Sequence, residues 1–135
     1  MDTTVTFLRP AGLVHSPAFS HVAVVPPGAT TIHVGGQNAV DATGALVGGD
    51  DIAAQTRQVM ANVVTALAAV DATIRDVVAW TILVVEGADF GAAYAAAAPT
   101  LAVEGDPSLV TGARVSALAF PGALIEVAAV AAVFR

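Results

Sequence analysis

The chain has 135 residues and a net charge of −6, with five arginines and no lysine; that is room for one domain with a hydrophobic core, and no basic patch to neutralise nucleic-acid phosphates. Apolar residues make up 56% and charged residues 12%, yet no apolar run reaches the roughly 18 residues of a membrane span, so the excess apolar surface points to an obligate homo-oligomer. The lack of cysteine excludes disulfides, thiolate metal sites and a cysteine nucleophile, and MDTTVTFLRP lacks the basic and apolar regions of a secretory signal, so a cytoplasmic location is expected.

Residues Thr3 to Leu8 alternate polar and apolar and predict a half-buried strand ended by Arg9-Pro10. A second strand follows at His21 to Val25. Pro26-Pro27-Gly28-Ala29 reads as a turn, and Thr31-Ile32-His33-Val34 resumes the alternation, so residues 20–36 predict a hairpin. After a glycine-punctuated loop, Asp50 and Asp51 are N-cap candidates for a helix running to about residue 70, with Ile52, Val59, Val63, Ala66, Leu67 and Val70 at helical spacing. The β-branched run Val77 to Val85 predicts a central strand covered on both faces. Asp89 caps a second helix from Phe90 to about Ala98, with Pro99 near its end, and two last strands flank a Pro121-Gly122 turn. Helices interleaved with hairpin-forming strands predict an α+β sandwich, with helices on one face of a mixed sheet.

Few residues in this pattern can carry chemistry. His15, His21 and His33 show no metal-ligand spacing. Ser16 and Ser20 lack a nucleophile-elbow setting, and the glycines between positions 35 and 49 match no phosphate loop. Gly35-Gly36-Gln37 reads either as a place where backbone passes close to another group, with Gln37 and Asn38 supplying amides, or as an ordinary turn. Glu126 stands in the apolar strand ALIEVAAVAAVF, where no other polar residue alternates with it. It either faces a wet cleft or forms an ion pair across an interface. Arg114 is the only cation between Arg75 and Arg135, and it is either the partner of Glu126 or a binder of an anionic ligand. Strand parity separates these readings: a two-residue Pro121-Gly122 loop puts the pair on opposite faces, and an odd-numbered loop or a bulge puts it on one.

The segments FSHVAVV (19–25), HVGGQNAVDATGALVGGDDIAAQTRQVMANVVTALAAV (33–70), DVVAWTILVVEGADFGAAY (76–94) and SALAFPGALIEVAAVA (116–131) resemble the YjgF/RidA family of small trimeric enamine/imine deaminases. The resemblance implies a chorismate-mutase-like α+β subunit, a single domain over residues 1–135, in a homotrimer with a central barrel. It also implies small-molecule clefts at the subunit interfaces, where a 2-imino acid is hydrolysed to a keto acid and ammonia with no metal or organic cofactor. Neither nucleic acid nor membrane is an expected partner.

Carried over by position, Glu126 matches the acid that helps to place the attacking water, and Tyr94 stands where an Asn often lines the cleft. Phe19 replaces a tyrosine and Gly35 a serine. Val110 occupies the place of the substrate-carboxylate arginine, and Gly112 that of a nearby cysteine. Arg114 lies four residues beyond Val110, on the same strand face but about 13 Å away at ~3.3 Å per residue. Glu126 and Arg114 are therefore the expected catalytic residues, with Phe19, Gly35, Gln37, Tyr94 and Val110 lining the ligand. The readings left are an imine or enamine hydrolase and a divergent family member that binds a small ligand or acts on another substrate.

Overall fold

The computed structural model describes residues 2–135. Its elements, in chain order, are β1 (Thr6–Leu8), β2 (Val22–Val24), β3 (Ala29–Gln37), α1 (Ile52–Ala68), a single 3-10 turn (Ile74–Asp76), β4 (Val77–Val85), α2 (Phe90–Leu101), β5 (Leu109–Val115) and β6 (Ile125–Phe134). The main sheet has the order β3-β6-β4-β5, and β1 and β2 form a separate two-stranded ribbon. This is a mixed α+β fold with two helices, as expected.

The Asp51 side chain accepts hydrogen bonds from the backbone N–H of Ala53 and Ala54 and so caps α1. Beyond the cap, Ile52, Gln55, Thr56, Val59, Met60, Val63 and Leu67 lie on one buried face. That face packs on β6 and β3, where Val34, Ile125, Val127, Ala129 and Ala131 complete the core. Asp89 caps α2 in the same way. The helix runs to Leu101 with Pro99 inside its last turn, beyond the predicted end near Ala98, because Ala102 still donates to the Ala98 carbonyl and closes the turn.

Two expectations of strand pairing are corrected. Residues 20–36 do not form a hairpin, because β2 pairs antiparallel with β1 and β3 pairs antiparallel with β6. Pro26 and Pro27 lie between β2 and β3; they donate no backbone hydrogen bonds and their φ is fixed, which opposes tight closure. The last two strands are not neighbours either. The β4 strand lies between them, parallel to β5 and antiparallel to β6, and α2 supplies the crossover that a parallel pair requires. Phe120-Pro121-Gly122-Ala123 is indeed a turn, with Ala123 N–H donating to the Phe120 carbonyl at 3.1 Å and Gly122 at φ 82°. It lies in the connection between β5 and β6 and closes no hairpin. As predicted, β4 is an interior strand of the sheet, but helices cover only one of its faces, and Thr81 on the other is exposed.

Candidate functional site

The sheet register settles the parity question. Arg114 is paired with Val84 on β4, and Glu126 with Leu83. Residues directly opposite each other share a face and neighbours along a strand alternate, so Arg114 and Glu126 lie on opposite faces of one sheet. Their expected pairing does not occur within the chain, because the intervening β4 sets their parity and the Pro121-Gly122 turn does not.

Glu126 is half-buried on the face away from the helices. Between Val34 and Gln37 the β3–β6 register shifts, so that Gly35 and Gly36 oppose the single residue Ala128. A β-carbon at position 36 would stand 2.7 Å from Glu126 Oε2 and 2.8 Å from its Cδ, closer than non-bonded atoms approach. Glycine leaves the room in which the carboxylate lies. Asn38 Nδ2 donates to Glu126 Oε1 and to the Ile125 carbonyl, each at 3.4 Å. The segment after β3 is held in turn by Asn62 of α1, whose Nδ2 donates to the carbonyls of Asn38 and Val40 at 3.0 and 2.9 Å. Gln58 donates to Asn62 Oδ1 and orients that amide.

Of the two readings of Gly35-Gly36-Gln37, the close approach is the one found, at Gly36, with Glu126 as the approaching group. Position 35 is open, and Gln37 Nε2 turns back to the Gly35 carbonyl at 3.2 Å. Reasoning from sequence missed Gln55, which is fully buried. Its Nε2 donates to the carbonyls of Gly49 and Gly122, and its Oε1 accepts from Leu124 N–H at 2.8 Å. It thereby pins the entry to β6, and with it Glu126, to the start of α1. The available signal was a glutamine on the apolar stripe of a helix.

The remaining candidates collect on the helix side. A cleft of about 670 Å³ opens between α2 and the β4–β5 half of the sheet, and Phe19, Tyr94, Val110 and Gly112 border it together with Trp80 and Ile82. Phe19 also meets His21 edge to face, with 5.4 Å between ring centroids. Arg114 is not among the lining residues. Its guanidinium lies 5.7 Å from the centre of the Phe90 ring, and Nη1 donates to the Ala88 carbonyl at 3.4 Å, which keeps it at the rim near the start of α2. Among the described residues no cluster of three or more His, Asp or Glu is placed to hold a metal ion, and no helix is long and apolar enough to cross a membrane.

Residues 13–133 match the family model described as Endoribonuclease L-PSP. The chain belongs to the Rid family, also called YjgF or L-PSP. A Rid-family protein of unknown function from Yersinia pestis is similar over 94% of this chain and 97% of its own, with 37% identity and a TM-score of 0.81. A member of the YjgF/YER057c/UK114 family from Mycobacterium tuberculosis is 26% identical over 96% of this chain and 100% of its own, with a TM-score of 0.63. RidA from an Antarctic Psychrobacter shares the fold at 24% identity, covering 91% of each chain with a TM-score of 0.66. No match was found among the curated proteins. This Rid-family chain thus has its candidate site residues in two groups, with Glu126, Gly36 and Asn38 on one sheet face and Phe19, Tyr94 and Val110 on the other.

Proposed function

We propose that this Rid-family chain hydrolyses a carbon–nitrogen double bond in clefts completed between copies of itself, as a homotrimer. The observation that carries the reading is Glu126. Its carboxylate is half-buried in an apolar strand, has one amide donor from Asn38, and lies in space that only a glycine at position 36 leaves open. Such a group can take a proton from water as the water oxygen bonds to the imine carbon, giving a carbinolamine. The proton taken from water passes to nitrogen to complete the carbinolamine; its hydroxyl proton then moves to nitrogen as the C=O bond forms and the C–N bond breaks, and a carbonyl compound and ammonia leave. Because Glu126 and the residues around Val110 lie on opposite faces, a cleft containing both groups needs a second copy. That requirement and the apolar face left uncovered by the helices support the oligomer. The net charge of −6 weighs against a phosphate-backbone substrate, whatever the family's description names.

An assay that generates 2-iminobutyrate and an uncharged imine in turn, and follows carbonyl release against the uncatalysed rate, tests this. Acceleration of either is expected, with Glu126→Gln lowering the rate by about 10²-fold or more and Arg114→Ala, a rim residue, by only a few-fold. No acceleration of either imine at micromolar protein would refute the hydrolase reading. The second reading, a divergent member that binds a small ligand without this chemistry, is favoured by Val110, which gives a substrate carboxylate no cationic partner.

A further inference from the structure

The cleft between α2 and the β4–β5 half of the sheet has about 670 Å³ of space, within the range of small-molecule sites. Among the described residues, no charged side chain lines it. A carboxylate placed there would lose its hydration and meet no compensating cation. Arg114 is engaged by the Ala88 carbonyl and the ring of the lining residue Phe90, and Arg9 is engaged by Asp106, 3.4 Å away. The net negative charge of the chain adds a further opposing field for an anion.

Two features say what the cleft can hold. At its floor, Gly112 pairs with Ile82, and a β-carbon at position 112 would meet only the Ile82 carbonyl, at 3.9 Å. The absence of a side chain there keeps the space open without any demand from backbone strain. Thr56 of α1 borders the cleft, and its Oγ1 is buried with no hydrogen-bond partner among the described residues. The hydroxyl has no accessible surface in this structure, so an acceptor on a ligand meets it only as the Thr56 side chain turns toward the cleft, and it then recovers the free energy that a buried hydroxyl without a partner costs.

We propose that the cleft between α2 and the sheet binds an uncharged small molecule with an apolar body and one hydrogen-bond acceptor, of the ketone or neutral imine class, whose acceptor takes the hydrogen bond that the Thr56 hydroxyl offers. This rests on the reading of the protein as a C=N hydrolase only in identifying the ligand with its substrate or product. The binding itself does not depend on turnover.

The single tryptophan, Trp80, is buried and lines the same cleft, so its fluorescence reports occupancy directly. The probes are benzylacetone and the keto acid in which the methyl group next to its carbonyl is replaced by carboxylate. Benzylacetone is expected to change Trp80 emission saturably and to bind about tenfold or more tightly than the keto acid. Gly112→Leu, which fills the floor, should abolish the response. Thr56→Val, nearly the same shape without the hydroxyl, should weaken benzylacetone about three- to tenfold. Competition against a neutral environment-sensitive dye provides a second readout, independent of tryptophan.

Equal or tighter binding of the keto acid overturns the proposal and leaves hydrolysis at Glu126 standing. No response in either readout, as when a second copy fills the cleft, overturns it as well, and so does undiminished binding in Gly112→Leu. Unchanged affinity in Thr56→Val overturns the assignment of the acceptor. Benzylacetone bound as expected by a protein that hydrolyses no imine supports the proposal and removes the hydrolase reading instead.

Discussion

Gly36 is the residue on which the candidate acid depends most directly. Any larger side chain there occupies the position of Glu126 Oε2 and Cδ, so Gly36→Ala should move the carboxylate off Asn38. The expected result is a fall in C=N hydrolysis of about tenfold or more, with a stability change of about 1 kcal/mol, read from steady-state rates beside urea unfolding. An unchanged rate would show that the position of Glu126 does not matter. Asp41 offers a separate test by pH. The Thr43 hydroxyl, 2.6 Å from its carboxylate, and the N–H groups of Ala45 and Thr43 hold the Asp41 carboxyl below its ordinary value. A depressed acid contributes stability above its unfolded value and loses it as pH falls through its folded value. In an NMR titration, Thr43→Ala should raise the Asp41 midpoint, and a static midpoint would refute the hydroxyl's role. The oddity of Glu126 in an apolar strand was legible from sequence. Its neighbours were less so, because Asn62, oriented by Gln58, reaches the Asn38 segment from α1 and nothing in the local sequence says so.

Helix α1 does more than cover the sheet, because Gln55 ties it to the connection that leads into β6. Three hydrogen bonds from one fully buried amide join the loop at Gly49, the turn at Gly122 and the start of the strand at Leu124. Gln55→Ala leaves these backbone groups unpaired in the interior and should cost about 2–4 kcal/mol in denaturant unfolding; a loss of a few tenths would mean that water replaces the amide freely. The elements themselves were largely readable. The α1 periodicity and its Asp51 cap are local properties, and so is the β-branched run of β4. The pairings were not, because the alternation in residues 20–25 states that a strand forms and leaves its partner open. Here the partner is β1, and β3 goes instead to β6.

The whole molecule leaves one sheet face without helices, bearing Thr81 and Leu83 of β4, Ala113 of β5 and Glu126, Ala128 and Val130 of β6, all exposed or half-buried. A homotrimer that closes this face should give a mass three times 13.4 kDa in light scattering, and a monomer would undo the interface argument. Composition already determined that apolar surface exceeds what one small core needs, because charge is too scarce to cover it. The sequence alone also carried the helix positions, the family resemblance and the placement of a lone acid in an apolar strand, since each depends on local spacing or residue type. Only the tertiary structure decided that Arg114 and Glu126 lie on opposite faces and that the space under Val110 and Gly112 has no charged lining. Those facts depend on β4 inserting between β5 and β6, and side-chain direction in a sheet is fixed by register with a neighbouring strand that is here remote in the chain.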